Sequence, residues 1–266
     1  MDCVGIIGYG HMGRMLVKGF LSSRALCPGE VVVASRSRES RDTCAAAWPE
    51  TGIAKTNREL ARRCRTIILA VRPQEIREVL CDIVPVLDGD EHIVSLAAGI
   101  SLGDLEALYP GPVTRAIPTV TSTVGQGTTL VCHGQRVREN DARRVEGVFS
   151  SIGNVMPVRE EELAAATVLS SCGPGLLAAI IEELGGAVAR ASDLPPDRAL
   201  LLTTEMVAAT AAYLRETGKA PGDLVGEVAT GGGVTEVGVA ALQERLPEVL
   251  DGAVAAMLER CGTVGK

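Results

Sequence analysis

Apolar residues follow two different spacings along the chain. In the first part, short apolar runs are separated by segments in which apolar residues recur every three or four positions, as in amphipathic helices. The runs predict strands at 4–7, 30–34, 66–70, 92–96, 113–116, 128–132 and 155–158. The segments between them predict helices at 12–22, 38–47, 57–64, 73–84, 102–108 and 140–151. This alternation predicts an α/β fold, an N-terminal Rossmann-like doubly wound sheet over residues 1–158.

The second part of the chain, residues 159–266, shows helical spacing only. Ala and Leu recur at this spacing in segments separated by Gly and Pro. The predicted helices are 163–170, 175–191, 197–217, 234–244 and 247–261. The apolar faces of 175–191 and 197–217 exceed what one small helical domain can cover. We therefore predict an all-helical dimerisation domain and a homodimer or a higher homo-oligomer.

Composition and charge exclude several classes of protein. A formal charge of −7 argues against a nucleic-acid partner, because phosphates require clustered Lys and Arg. We expect neither a membrane span nor a secretion signal, since charged residues, Gly and Pro interrupt every apolar run. The eight cysteines and three histidines are scattered, so no metal site is expected. The pattern predicts a cytoplasmic protein with reduced thiols.

A glycine-rich motif follows the first predicted strand and opens the first predicted helix. It comprises Gly8, Tyr9, Gly10, His11, Met12 and Gly13. In a strand-to-helix turn, Gly8 permits the tight bend, Gly10 lets a pyrophosphate approach and Gly13 lets helix and strand pack closely. This context favours a dinucleotide site over a structural turn.

The end of the second predicted strand bears on the choice of dinucleotide. An enzyme that prefers NAD usually places an acid there, whereas this chain has Ser35 and Arg36, followed by Ser37 and Arg38. Guanidinium and hydroxyl groups suit a 2′-phosphate, so the predicted cofactor is NADPH, with NADH possible. The alternative is a solvated basic turn.

Five segments, in chain order, resemble the pyrroline-5-carboxylate reductase family. Residues 70–74 read AVRPQ and 97–101 read AAGIS, where the family has runs close to AVKPQ and AAGIS. Residues 115–119 read RAIPT where the family has R-x-MPN, and 169–175 read LSSCGPG. The most specific segment is 228–242, in which TGGGVT at 230–235 retains the family's Gly-Gly-x-Thr at 232–235.

The resemblance implies a reductase that transfers a hydride from NADPH to 1-pyrroline-5-carboxylate, a cyclic imine carboxylate, and forms proline. Each active site would lie where the two domains meet. Besides the glycine motif, Ser35 and Arg36, the implied cofactor residues are Ala70, Val71, Arg72, Pro73, Ala97, Ala98 and Thr119. The implied substrate residues are Thr230, Gly232, Gly233, Val234 and Thr235. Backbone N–H groups at a helix start suit a carboxylate, and the Thr235 hydroxyl is the candidate catalytic group near the imine nitrogen.

Departures from the family pattern leave alternatives open. Thr119 and Thr121 replace an Asn and a Pro, and Gly231 replaces a Pro. These changes are compatible with another cyclic imine or imino acid as substrate, or with a catalytically silent NADP-binding regulatory paralogue. A hydroxyacid dehydrogenase fits less well, because those enzymes use a Lys acid and the helical part has only Lys219 and Lys266.

Overall fold

The computed structural model describes residues 3–263 and contains one eight-stranded sheet within them. Its strands are β1 (Cys3–Ile7), β2 (Val31–Ala34), β3 (Gly52–Ala54), β4 (Cys64–Leu69), β5 (His92–Ser95), β6 (Val113–Ile117), β7 (Gly127–His133) and β8 (Gly153–Pro157). The order is β3-β2-β1-β4-β5-β6-β7-β8, and all neighbours are parallel except β6 and β7. The predicted Rossmann-like sheet is confirmed.

Within residues 3–263, six α-helices connect the strands and five follow the sheet. The first group is α1 (His11–Ser22), α2 (Arg38–Ala47), α3 (Asn57–Ala61), α4 (Ile76–Ile83), α5 (Leu102–Leu108) and α6 (Glu139–Ser150). The second group is α7 (Leu163–Thr167), α8 (Gly173–Ala191), α9 (Pro196–Thr217), α10 (Pro221–Val228) and α11 (Val234–Thr263), with a π-helical segment at Val168–Cys172. The predicted helical second part is also confirmed.

The strand order reverses direction at β1. The chain runs outward from β1 to β3 and then returns to the other side of β1 as β4. The carboxyl ends of β1 and β4 therefore lie side by side, with Ile7 in register with Leu69. In an open α/β sheet the helices leave these two ends in opposite directions, which opens a crevice for ligands.

The sheet separates two apolar cores. Ile7 and Leu69 contribute to one core, and Ile6 and Ile68 contribute to the other, because successive strand residues point to opposite faces. Burial on both faces explains why these strands are continuous apolar runs. In the second core the rings of Phe20 and Phe149 meet edge to face, with centroids 5.5 Å apart.

Two features of the sheet differ from the pattern-based prediction. The short edge strand β3 was not predicted, because three residues with one buried side chain give no alternation to detect. Cys64 was assigned to the end of a helix at 57–64, whereas α3 ends at Ala61 and Cys64 begins β4. Cys64 is buried and pairs with Cys3 of β1, so sheet pairing decides its conformation.

The helical part differs from the prediction at two places. Helix α10 was not predicted, and α11 is a single helix where two were expected on either side of Pro247. Proline leaves the carbonyl of the residue four positions earlier, Gln243, without its helical donor. Gln243 is exposed, so water can bond that carbonyl and the helix continues.

The chain forms two compact units. One contains the sheet and extends to Cys172, and it also includes the end of α11 from Leu258; the other is Gly173–Met257. The domain boundary drawn at residue 158 from the sequence remains a prediction. In the second unit α8 and α9 pack closely, because a Cβ atom on Gly185 would lie only 3.1 Å from the Cα atom of Leu200.

Apolar side chains remain exposed on the helices of the second unit. On α8 they form a stripe of Leu177, Ile180, Leu184 and Val188. By length and composition alone the helical stretch 160–191 is apolar enough to cross a membrane, although no such stretch was expected from the sequence. Helices that are buried between subunits are equally apolar, so the same composition is also typical of a subunit interface.

Candidate active site

A tight turn between β1 and α1 contains the glycines of the motif. Gly8 has a φ of 103°, and its N–H donates to the carbonyl of Ala34 at the end of β2 over 2.8 Å. A Cβ atom on Gly8 would clash with the carbonyl oxygen of Ala70, and one on Gly13 would clash with that of Gly8. Glycine is thus required at both positions. A Cβ atom on Gly10 would meet no atom within 4 Å, so the backbone there is open to a ligand.

A pocket of about 730 Å³ lies beside this turn, at the carboxyl ends of the central strands. It brings together eight of the predicted cofactor residues: Gly8, Tyr9, Gly10, Ser35, Arg36, Ala70, Val71 and Arg72. Helix α1 begins at the pocket, and its N-terminus favours an anion. The pocket therefore joins the turn suited to a pyrophosphate with the predicted 2′-phosphate residues.

The turn after β2 is held in place by α2. Ser37 caps that helix by accepting a hydrogen bond from the N–H of Ser40 over 3.3 Å. The Arg41 guanidinium donates to the carbonyl oxygens of Ser35 and Arg36. These bonds fix the backbone of the turn, while 72% of the Arg36 side chain stays exposed at the pocket.

The turn after β4 adds an acid to the same pocket. Glu75 lines the pocket and accepts hydrogen bonds from the backbone N–H of Arg72 over 3.1 Å and from its Nη2 over 3.0 Å. It also forms an ion pair with Arg36. Hydrogen bonding to Arg72, together with the charge of Arg36, lowers the pKa of Glu75 to about 2. Glu75 is therefore an anion at neutral pH.

The other predicted cofactor residues do not line this pocket. His11 and Met12 belong to the first turn of α1, Gly13 packs against Gly8, and Pro73 begins a short 3₁₀ helix. Ala97 and Thr119 are buried. The Thr119 hydroxyl lies 2.7 Å from that of Thr121 and accepts a hydrogen bond from the N–H of Thr128, so it braces its own loop.

Ala98 lines a second cavity, of about 290 Å³, at the ends of β5 and β6. The Glu160 carboxylate crosses this region and accepts from Arg115 Nη1 over 3.0 Å and from the N–H of Leu102 over 2.6 Å. The carboxylate thereby ties β6 to the start of α5. The buried Nε atom of Arg115 has no hydrogen-bond partner among the described residues.

The predicted substrate segment is the turn that precedes α11. Gly232 has a φ of 76°, and the N–H of Gly233 donates to the carbonyl of Thr230 over 2.8 Å. The N–H of Gly232 donates to the Glu236 carboxylate over 2.7 Å. Both N–H groups proposed for a substrate carboxylate thus already have acceptors within the chain. A substrate carboxylate can bond Gly232 only if it replaces Glu236.

Val234 and Thr235 open α11. Val234 is 93% exposed, and Thr235 is exposed as well. Within the described residues the Thr235 hydroxyl has no hydrogen-bond partner. A threonine hydroxyl at a helix start can also bond the backbone of its own helix, but no such bond is present among the described residues, so the group is free to meet a ligand.

Two other sequence-based expectations concern ligand chemistry. Residues 3–263 contain no group of three or more His, Cys, Asp or Glu that could hold a metal ion. The Lys219 ammonium is bonded to Glu227 and Tyr213, and the hydrogen bond to Glu227 raises its pKa above the usual range. Lys219 is thus a surface cation in an ion pair, and Lys266 lies outside the described residues.

Sequence reasoning missed five polar residues that line the large pocket: Ser40, Asn57, Glu75, Glu78 and Asp82. Asn57 is the first residue of α3 and lines the pocket. Glu75 forms ion pairs with both Arg36 and Arg72. The signal for Glu75 was its position three residues after Arg72, the spacing of a capping acid across a proline turn. Only the fold brings Glu75 to Arg36, thirty-nine positions earlier in the chain.

Comparisons with known proteins agree with this arrangement. Residues 160–264 match a family model described as pyrroline-5-carboxylate reductase dimerisation. Residues 3–99 match one described as NADP oxidoreductase coenzyme F420-dependent. Together the two models cover strands β1 to β5 and the helical part.

Similar proteins extend over nearly the whole chain. The pyrroline-5-carboxylate reductase of Pisum sativum is 33% identical and aligns with 91% of this chain and 88% of its own length. Pyrroline-5-carboxylate reductase 3 of Bacillus subtilis is 29% identical over 94% of this chain and 92% of its own. A solved pyrroline-5-carboxylate reductase from Coxiella burnetii is 26% identical, with a TM-score of 0.92 over 100% of this chain and 99% of its own. The chain belongs to the pyrroline-5-carboxylate reductase family.

Proposed function

We propose that this protein reduces 1-pyrroline-5-carboxylate to proline with NADPH. The observation that carries the proposal is the pocket of about 730 Å³, which joins the glycine turn to Ser35 and Arg36 in a chain of this family. NADPH supplies a hydride to the imine carbon, and a proton reaches the ring nitrogen. The net change is addition of one hydride and one proton across the C=N bond.

The residues divide this work between them. The open backbone at Gly10 and the start of α1 receive the pyrophosphate, and Arg36 meets the 2′-phosphate. The unpartnered Thr235 hydroxyl hydrogen-bonds the imine nitrogen and orients it or relays the proton. The turn 230–234 receives the substrate carboxylate, with Glu236 leaving the N–H of Gly232 as the substrate binds.

We propose that the protein works as a homodimer, or a larger homo-oligomer, in the cytoplasm. The exposed apolar stripe on α8 and the match of residues 160–264 to a dimerisation model support the assembly. The eight cysteines are scattered along the sequence, a distribution usual for reduced thiols, which supports a reducing compartment. The partner in catalysis is a small cyclic imine carboxylate, and the net charge of −7 disfavours nucleic acid.

The test is NADPH oxidation with pyrroline-5-carboxylate by the wild type and by Thr235→Ala. We expect turnover by the wild type and a fall in kcat of roughly 100-fold in the variant, the lower end of the usual contribution of a positioned proton donor. Thr235→Ser keeps the hydroxyl and should retain kcat within about threefold. Thr235 is exposed, so neither change should disturb folding.

Two other outcomes would redirect the assignment. If the wild type leaves pyrroline-5-carboxylate unreduced but turns over another cyclic imine or imino acid, the substrate is that related compound. The departures from the family pattern at Thr119, Thr121 and Gly231 would then account for the changed substrate. Tight NADPH binding without turnover of any imine would instead identify a regulatory paralogue.

A further inference from the structure

Glu75 lies between two arginines on the wall of the large pocket. Its Oε1 atom accepts from Nη2 of Arg36 and from Nη2 of Arg72. Its Oε2 atom accepts from the backbone N–H and Nε of Arg72 over 3.1 and 3.3 Å. Only 12% of the Glu75 side chain is exposed, against 72% for Arg36 and 69% for Arg72. The acid is the fixed member of this cluster.

The position of Glu75 supplies what the sequence lacks at the end of β2. A dinucleotide enzyme that uses NADH has an acid near the adenosine ribose, and no acid follows Ala34 directly here. The fold instead brings a carboxylate to Arg36 from the turn after β4. The arginine suited to a 2′-phosphate and an acid suited to a 2′-hydroxyl thus share one wall of the pocket.

We propose that Glu75 is a specificity-determining residue that lowers the preference of this protein for NADPH over NADH. The inference rests on the proposed cofactor site, with Arg36 at the ribose. It assigns to Glu75 two effects, competition for Arg36 and recognition of a ribose hydroxyl.

Both effects act in the same direction. A 2′-phosphate that binds Arg36 must replace an ion pair already present and must lie near a carboxylate of like charge. A 2′-hydroxyl donates to the same carboxylate and needs no displacement of Arg36. The lowered pKa of Glu75 keeps the acid ionised at every pH of physiological interest, so both effects persist.

The test measures cofactor binding apart from catalysis. Binding constants for NADPH and NADH are measured by nicotinamide fluorescence at fixed ionic strength for the wild type and Glu75→Gln. Adenosine 2′,5′-bisphosphate, titrated by calorimetry, reports on the phosphate site alone. We expect the ratio of NADH to NADPH Kd to rise by about tenfold in Glu75→Gln, as for loss of one charge-assisted contact. Binding of the bisphosphate should tighten in parallel.

Two further variants serve as controls. Glu78→Gln removes an equal charge from the same pocket, at a residue that forms no ion pair with Arg36 or Arg72 in the described part of the chain, and it should leave the ratio within about twofold. Arg36→Gln should weaken NADPH by about tenfold or more and leave NADH nearly unchanged. Thermal unfolding of each variant shows whether the fold is intact.

The outcomes separate this inference from the proposed function. A ratio that stays constant or falls in a folded Glu75→Gln protein would show that Glu75 only orients Arg36, and it would overturn the inference. Failure of the wild type to bind either cofactor would overturn the proposed function itself. A ratio that rises in Glu78→Gln as much as in Glu75→Gln would assign the effect to general charge and also count against Glu75.

Discussion

At the scale of single residues, a chain of hydrogen-bonded polar groups runs from the buried His92 of β5 through β6 and β7 to the partly exposed Glu146 of α6. His92 Nε2 lies 2.7 Å from the Thr114 hydroxyl, which lies 2.7 Å from His133 Nδ1, and His133 Nε2 lies 3.0 Å from Glu146. If each group donates to the next, His92 carries its proton on Nε2. Its Nδ1 atom is then a bare acceptor, and among the described residues that buried atom has no hydrogen-bond partner.

This chain predicts a pH-dependent stability. Burial, with the nearby His133 as a second cause, lowers the pKa of His92 to about 4, from about 6.5 in an unfolded chain. The unfolded state therefore binds more protons between these values, so stability is complete above pH 6.5 and falls as the pH drops toward 4. Because of His92, we expect the unfolding free energy to be lower by about 2 kcal/mol at pH 5 than at pH 7.

Urea unfolding at pH 7 and pH 5 tests this expectation, with His92→Gln as the comparison. Gln keeps a donor for Thr114 but does not titrate. The unfolding free energy of the variant should therefore fall less between pH 7 and pH 5 than that of the wild type, by about 2 kcal/mol. An equal loss in the two proteins would show that other groups cause the pH dependence.

At the scale of elements, the turn from β1 to α1 separates folding from binding within one motif. Gly13→Ala places a methyl group against the Gly8 carbonyl, whereas Gly10→Ala places one in open space at the pocket. We expect Gly13→Ala to lower the unfolding free energy by roughly 2–4 kcal/mol, because backbone must shift.

For Gly10→Ala we expect unfolding within about 1 kcal/mol of the wild type but NADPH binding weaker by about tenfold or more. Chemical unfolding and fluorescence titration of both variants measure the two effects. Normal cofactor binding by a folded Gly10→Ala protein would contradict the assignment of this turn to the pyrophosphate.

At the scale of the whole molecule, the exposed stripe on α8 predicts the assembly. Leu184 lies in the middle of this stripe and is 42% exposed. A charge buried in an apolar subunit interface without a partner is costly, so Leu184→Glu should dissociate the assembly into monomers of 27.7 kDa. Glu182→Lys changes a charge on the polar side of the same helix and should leave the assembly intact.

Sedimentation at micromolar concentration distinguishes the two variants. A wild-type protein that sediments as a monomer would remove the proposed dimer, and the stripe on α8 would need another occupant. Dissociation by Glu182→Lys as well as Leu184→Glu would show that charge in general, and not the apolar stripe, controls assembly.

The sequence by itself determined the class of fold, the family and much of the pocket. Apolar runs and helical spacing are local patterns, so they predicted the sheet and the helical part. The glycine turn was predictable because Gly8 has a positive φ and Gly13 packs against Gly8, and both constraints act within a few residues. Eight predicted cofactor residues do line one pocket, since each follows the carboxyl end of a parallel strand.

The tertiary structure decided what depends on distant partners. Strand β3 exists because β2 offers it an edge, and Cys64 is in a strand because it pairs with Cys3. Glu75 reaches Arg36 only when β2 and β4 lie on the two sides of β1. Such contacts depend on the register and order of strands, which no local pattern encodes.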